Sequence, residues 1–269
     1  MSKLALVTGA SKNIGKSIAR KFISKGYSVI GTYNTTDEKK IQKVIDDLGD
    51  IKMHQVDFCD AEAVGVFISK MKAYRFDVIV NNAGMLDCDD EGEIVNEFYN
   101  FNLSAFDNVM KCNFYAPLRI CLELKENVVE NGAIVNITST DGMQATYASL
   151  SYSASKAALI NLTASLSNSF FSYKNVRVNS ISPGWIAADE EGGMNTNPDD
   201  PNLPSNKAKL LTPLDRNGKT TEVADVVFYL TQNESSFIHG TNIVVDGGFS
   251  NHDVIYYEEA TGKSLLKTD

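Results

Sequence analysis

The sequence predicts an α/β fold, a doubly wound parallel sheet with helices on both faces. Three observations predict it. Short apolar runs alternate with amphipathic helical patterns from one end of the chain to the other. A turn of small residues, Thr8-Gly9-Ala10-Ser11-Lys12-Asn13-Ile14-Gly15, follows the first run and opens a helix. The run Ala133 to Thr138 (AIVNIT) reads as a strand buried on both faces, as parallel sheets require.

Taken in order, Leu4 to Val7 is a strand and Ile14 to Lys25 a helix. Ser28 to Thr32 and Asp37 to Leu48 repeat that pair, as do Ile51 to Val56 and Ala61 to Ala73. Asp77 to Asn81 is a fourth strand, followed by one long helix around Leu103 to Val128. Strand Ala133 to Thr138, helix Leu150 to Tyr173, strand Val176 to Ser182, helix Thr221 to Leu230 and strand Asn242 to Asp246 complete the alternation. Right-handed crossovers then place the helices on both faces. Ala154, Ala157, Leu159, Ile160 and Leu166 make the Leu150 helix nearly apolar all round, so it is expected to be buried, in part by another subunit. Polar, proline-bearing residues from Trp185 to Thr212 predict a loop with at most a short helix.

Composition narrows the function. The chain has 269 residues, 43% hydrophobic and 22% charged, which suits a single domain over 1–269. Its core spans 3–249, with a loop region at 185–212 and an extension at 250–269. A net charge of -9 with a pI near 4.9 argues against nucleic acid or an anionic membrane as partner. The leading apolar run is too short for a signal-peptide core and no membrane-spanning run follows, so a cytoplasmic protein is expected. Cys59, Cys88, Cys112 and Cys121 lack CxxC spacing, and His54, His239 and His252 lack HExxH spacing. No metal site is predicted, and the cysteines are expected to be buried free thiols.

Chemistry is concentrated at Tyr152 and Lys156. Four residues apart on a helix, they share a face, and a neighbouring ammonium is expected to lower the phenol pKa. Ser139 follows the strand ending at Thr138, at the carboxyl edge where such sheets bind ligands. Its hydroxyl and the phenol can therefore converge on one oxygen. At the other end, the small residues of 8–15 let the backbone approach a pyrophosphate, whose charge suits the free N–H groups of a helix start.

Taken together, TGxxxxxG at Thr8 to Gly15, Asp57, NNAG at Asn81 to Gly84, Asn113, Ser139, YSASK at Tyr152 to Lys156, PG at Pro183-Gly184 and VDGG at Val245 to Gly248 resemble the short-chain dehydrogenase/reductases. The character is that of bacterial 3-oxoacyl-carrier-protein reductase-like members. The resemblance implies a Rossmann fold and a catalytic set of Asn113, Ser139, Tyr152 and Lys156, with Asn113 holding a water that links Lys156 to solvent. It further implies that Gly9, Ser11, Ile14 and Gly15 hold the pyrophosphate and adjoining ribose, with Lys12, Asn13 and Asn34 also at the cofactor. Asp57 and Phe58 would meet the adenine, and Asn82, Ala83 and Gly84 the adenosine side. Pro183, Gly184 and Ile186 would line the nicotinamide, whose ribose Lys156 would grip beside Tyr152.

Cofactor choice follows from charge. The second strand ends in Thr32, Tyr33 and Asn34 with no acid before Asp37, and Lys12 lies in the glycine-rich turn. NADP(H) is therefore expected over NAD(H), since a carboxylate there would repel a 2′-phosphate. Asn13 stands where the family carries a glycine, and Ala188 where it commonly carries threonine. Acids at Asp87, Asp89, Asp90, Glu91, Glu93 and Asp189 to Glu191, with ELKENVVENG at Glu123 to Gly132, disfavour an acidic carrier protein. A small polar, neutral or cationic carbonyl or alcohol is the expected substrate. The alternatives are a 3-oxoacyl thioester reductase and a non-catalytic NADP sensor. The family also implies a homo-oligomer, tetramer or dimer.

Overall fold

A computed structural model of the chain describes residues 2–88, 94–146, 149–188 and 204–251. Its centre is a seven-stranded sheet in the order β3-β2-β1-β4-β5-β6-β7, with every neighbouring pair parallel. The strands are β1 (Lys3–Val7), β2 (Tyr27–Tyr33), β3 (Ile51–Gln55), β4 (Phe76–Asn81), β5 (Val128–Ile137), β6 (Arg177–Pro183) and β7 (Asn242–Val245). The helices are α1 (Asn13–Ser24), α2 (Glu38–Leu48), α3 (Ala61–Met71), α4 (Leu103–Met110), α5 (Ala116–Glu123), α6 (Leu150–Lys174), α7 (Pro204–Leu211) and α8 (Thr220–Leu230). The strand order reverses between β1 and β4, which opens a crevice at their carboxyl ends.

Alternate strand residues enter two separate cores, as the two-residue period of a strand demands. Leu6, Ile30, Ile79, Ile134 and Val178 meet Phe67, Ile68 and Met71 of α3, Ile120 of α5 and Leu166 and Phe170 of α6. Ala5, Val7, Val29, Val78, Val80 and Val135 meet Ile18 and Phe22 of α1, Val44 of α2 and Val223 and Val227 of α8. Phe22 is fully buried and packs edge-on against Tyr27 at 5.1 Å and Phe228 at 5.5 Å. That contact seats α1 between the sheet and α8, which fixes where the α1 N-terminus points.

Three expectations change. The long helix expected from Leu103 to Val128 ends at Glu123 and is interrupted by a π turn, Lys111–Tyr115. Pro117 explains the interruption: it has no N–H to give the Asn113 carbonyl four residues back, and the Ala116 N–H bonds to Lys111 O instead. Val128 already belongs to β5, whose pairing with β4 shifts register between Phe76 and Val78. Third, the face that α6 buries within one subunit is largely polar. Small polar residues, Ser151, Ser155, Thr163 and Ser167, line its inner face with Lys156 and Leu159, while Phe171 and Tyr173 are about half exposed, at 49% and 50%.

The cysteines are free thiols, as expected, but Cys88 is exposed and Cys59 half-buried; only Cys112 and Cys121 are buried. Among the described residues no group of His, Cys, Asp or Glu could hold a metal ion, and no helix is long and apolar enough to cross a membrane. The acids Asp89, Asp90, Glu91, Glu93 and Asp189 to Glu191, residues 189–203 of the loop, and 252–269 of the extension lie outside the described residues.

Candidate active site

The glycine-rich turn is held from both neighbouring strands. Thr32 in β2 accepts the Gly9 N–H at 3.0 Å through its side chain, and its carbonyl accepts the Ala10 N–H at 2.8 Å. From β4, Asn82 Nδ2 donates to the Thr8 and Gly9 carbonyls at 2.9 and 3.1 Å. Thr8 Oγ1 in turn accepts the Asn82 and Ala83 N–H groups, both at 2.9 Å. The motifs TGxxxxxG and NNAG are thus one hydrogen-bonded unit across the β1–β4 crevice.

The turn is packed closely on itself. A Cβ at Gly15 would lie 2.0 Å from the Gly9 carbonyl oxygen, so no other residue fits there without moving backbone. Asn13 takes the glycine's place at φ 47°, a left-handed conformation that asparagine tolerates better than most residues. Its buried Oδ1 has no hydrogen-bond partner among the described residues, and α1 has no side-chain cap. An uncapped helix start beside an unpaired carboxamide fits a pyrophosphate and its ribose.

Other residues expected at the cofactor fall around this crevice. Ser11 is buried and shares a hydrogen bond with Thr36 at 3.0 Å, while Lys12 is exposed just ahead of α1. Ile14 packs its side chain on the α1-side core. Asn34 is exposed at the end of β2, its carbonyl held by Gln55 Nε2 at 2.9 Å. Asp57 caps the turn after β3 by accepting the Cys59 N–H at 2.9 Å, and the Phe58 ring is buried against Phe67. Gly184 is held differently from the rest: a Cβ there would lie 2.6 Å from Asp246 Cβ, so Pro183-Gly184 and the VDGG turn are packed together. Ile186 bridges to Gly218 through its neighbours Trp185 and Ala187, which turns its own N–H and C=O the opposite way.

The four residues proposed for chemistry meet at the carboxyl ends of β4 and β5. Ser139 lies two residues beyond the end of β5, and its hydroxyl accepts the Asp141 N–H at 3.1 Å and acts to lower the Tyr152 phenol. Lys156 is 3% exposed; its Nζ donates to the Ile137 carbonyl at 2.9 Å and lies 5.4 Å from the Tyr152 ring centroid. Asn113, fully buried in the π turn, accepts the Met85 N–H at 2.8 Å and donates to Met85 O at 2.9 Å and Ser155 Oγ at 3.0 Å. Its side chain is therefore spent on protein partners. Gly84 sits between, since a Cβ there would come within 3.3 Å of both Asn113 Oδ1 and Lys156 Nζ.

One electrostatic expectation reverses. The Tyr152 phenol is not lowered: burial pushes it up to about 12, against the Ser139 hydrogen bond and with the Asp141 charge. Lys156 is itself lowered, to about 8, because burial penalises its ammonium. The lysine faces the Ile137 carbonyl and the ring face, where its charge does not reach the phenol oxygen as a direct partner.

Several residues absent from the motifs shape the site. Glu97 is 3% exposed, and its carboxylate accepts the Ser151 N–H at 2.7 Å at the start of α6. Asn81 donates to Asn136 at 2.8 Å and Asn136 to Thr163 at 2.9 Å, a buried polar chain tying β4, β5 and α6. Asp141 follows Ser139 inside the site. Only the doubling of Asn in NNAG hinted at the chain; Glu97 and Asp141 carry no local signal.

A phosphate-fitting turn at the crevice of a doubly wound sheet, facing a Ser-Tyr-Lys set, defines a dinucleotide-dependent oxidoreductase. A family model described as Enoyl-(Acyl carrier protein) reductase matches residues 9–250. The Oxidoreductase UcpA of Salmonella typhimurium is 34% identical over 263 residues, covering 91% of this chain and 94% of that protein. The 3-oxoacyl-acyl-carrier-protein reductase FabG of Staphylococcus aureus is 30% identical over 258 residues, covering 92% and 98%. A short-chain dehydrogenase of Burkholderia cenocepacia in complex with NADP superimposes with a TM-score of 0.80 at 28% identity, covering 93% and 98%. The chain belongs to the short-chain dehydrogenase/reductase family, whose members act on carbonyl and alcohol groups.

Proposed function

We propose that the protein is an NADP(H)-dependent oxidoreductase that interconverts a carbonyl and a secondary alcohol on a small polar metabolite. The observation that carries this reading is buried Lys156, whose Nζ lies 5.4 Å from the Tyr152 ring centroid and bonds the Ile137 carbonyl at the end of β5, two residues before Ser139. Bound nicotinamide supplies or accepts the hydride. Ser139 would hydrogen-bond the substrate oxygen as it gains charge, where one positioned donor is worth roughly 3 kcal/mol. Tyr152, kept protonated by burial, would give its proton to that oxygen in reduction and recover it in oxidation. Lys156 would hold the nicotinamide ribose, which places its ammonium where the phenol oxygen can feel it. Asn113 would position Met85 and Ser155 through its side chain.

The turn at 9–15 would hold the pyrophosphate, with Asp57 and Phe58 toward the adenine and Asn82 to Gly84 along the adenosine. Preference for NADP(H) is supported by the exposed Lys12 and Asn34, by the absence of an acid at the end of β2, and by the NADP in the Burkholderia relative. A homo-oligomer, dimer or tetramer, belongs to the same reading. Exposed Phe101, Leu103, Tyr115 and Leu122 along 101–122 support it, and sedimentation of purified protein tests it.

Absorbance at the NADPH band across a panel of ketones, aldehydes and alcohols tests the reaction. Turnover with NADPH well above that with NADH is expected, and comparable rates would remove the cofactor assignment. The similarity to FabG favours a second reading, reduction of 3-oxoacyl thioesters. Faster reduction of an acyl-carrier substrate than of small free ketones would establish it in place of the first.

A further inference from the structure

We infer that Cys59 and Cys112 form a peroxide-reactive dithiol site beside Asn113: Cys59 takes the oxidant, Cys112 resolves it, and the resulting disulfide displaces the turn on which Asn113 stands. The thiol chemistry goes beyond the oxidoreductase reading, and its effect on turnover rests on that reading.

Geometry brings the two sulfurs together. Cys59, in the loop between β3 and α3, directs its Sγ at the Asn108 carbonyl of α4, 3.6 Å away. Cys112 follows Asn108 by four residues, so it projects from the same helix face and leans back over the Asn108 turn. The Cys59 sulfur is also 3.4 Å from Met85 Sδ, and the Met85 N–H and carbonyl are held by the side chain of Asn113, the neighbour of Cys112. Cys112 belongs to the core on the α3 side of the sheet, and Cys59 and Met85 pack against that core. Exposure differs between the two thiols in the sense the chemistry needs. Cys59 is half-buried and open to a small oxidant, whereas Cys112 is 8% exposed. Cys112 acts to lower the Cys59 thiol in spite of burial, while Cys59 and burial push Cys112 up. The thiolate is the reactive form, which makes Cys59 the nucleophile.

In the first step the Cys59 sulfur attacks one oxygen of hydrogen peroxide. An S–O bond forms, the O–O bond breaks, and the departing hydroxide takes the thiol proton and leaves as water. In the second step the Cys112 sulfur attacks the Cys59 sulfur. The S–S bond forms, the S–O bond breaks, and the hydroxyl leaves with the Cys112 proton as a second water. Two thiols and one peroxide thus give one disulfide and two waters. Bonded sulfurs lie about 2.05 Å apart, closer than any contact between thiols. Closure therefore draws the π turn toward the loop after β3. Asn113 moves with its neighbour Cys112, which disturbs its bonds to Met85 and Ser155.

The test treats the reduced full-length protein with hydrogen peroxide, blocks the remaining thiols and digests with trypsin in the absence of reductant. Peptides 53–70 and 112–119, each carrying a single cysteine, should be recovered joined and two hydrogens lighter than their sum, and dithiothreitol should separate them. Cys59→Ser should leave Cys112 a free thiol, and Cys112→Ser should leave Cys59 as a sulfenic acid that dimedone labels. The wild-type digest decides the pairing even if the buried Cys112→Ser variant fails to fold. Carbonyl reduction with NADPH should fall about tenfold or more on oxidation, the order of a displaced active-site group. It should return with dithiothreitol and stay unchanged in peroxide-treated Cys59→Ser. Oxidation confined to exposed Cys88, a link from Cys59 to any thiol other than Cys112, or a wild-type Cys59 that stops at the sulfenic acid overturns the proposal. So does a linked protein that keeps full turnover. Linkage in a protein that reduces no carbonyl would keep the dithiol site and remove the oxidoreductase reading, and turnover without linkage would do the reverse.

Discussion

The Glu97 carboxylate accepts both the backbone N–H and the hydroxyl of Ser151, and so caps α6 from 54 positions earlier in the chain. Ser149, at the N-cap position itself, offers no side-chain bond. A helix start needs acceptors for its first N–H groups, and a carboxylate there also suits the helix dipole. Because Tyr152 is the next residue, the cap that stabilises α6 also fixes where the phenol sits.

Glu97→Ala should therefore destabilise the protein by about 2 kcal/mol, the cost of leaving a buried N–H and hydroxyl without an acceptor. Turnover should fall with it, because the first turn of α6 frays. Glu97→Gln keeps an acceptor oxygen and should lose less than half as much. Urea unfolding and steady-state kinetics on the same preparations check both.

Removing the phenol hydroxyl separates chemistry from binding. Tyr152→Phe should lower turnover about 10²-fold or more while NADPH affinity, read by fluorescence titration, changes little. A near-wild-type rate would take Tyr152 out of the mechanism.

Gly15→Ala tests the phosphate turn. Its methyl would meet the Gly9 carbonyl at 2.0 Å, so the backbone that approaches the pyrophosphate has to move. NADPH affinity should fall about tenfold or more, with the melting temperature read in parallel to separate lost binding from lost fold.

Lys156 gives a pH dependence of defined sign. Burial lowers it from 10.5 to about 8 in the folded protein. Between those values the unfolded chain holds a proton that the native state does not, so this group's contribution to the stability of the cofactor-free protein rises with pH. The full window corresponds to on the order of 3 kcal/mol. Below about 8 both states are protonated and the slope vanishes. Tyr152, raised from 10.0 to about 12, and the buried thiols of Cys112 and Cys121, both raised from 9.0, act oppositely above their unfolded values, so the lysine is read as the difference between wild-type and Lys156→Met urea profiles over roughly pH 7.5 to 9.5. Lys156→Met should remove the rising component there.

The sequence by itself determined the architecture, because buried parallel strands and amphipathic helices follow from the spacing of apolar residues along short stretches. Leu6 and Val7 enter opposite cores as adjacent strand residues must. The glycine-rich turn, Asn13 in a left-handed conformation and the Tyr152–Lys156 proximity were legible for the same local reason, each motif carrying its own backbone requirement. Even the π turn has a sequence cause, Pro117 four residues after Asn113, though the helical pattern from Leu103 onward masked it.

Only the tertiary structure decided what is long-range and electrostatic. Nothing near Glu97 announces that it caps Ser151, and nothing near Asn113 says that Met85 and Ser155 occupy its side chain. The pairing of Tyr152 with Lys156 suggested a lowered phenol, yet burial outweighs it and raises the phenol while lowering the lysine. Spacing fixes which residues share a helix face; desolvation depends on everything packed around that face, and the sum exists only once the chain has folded.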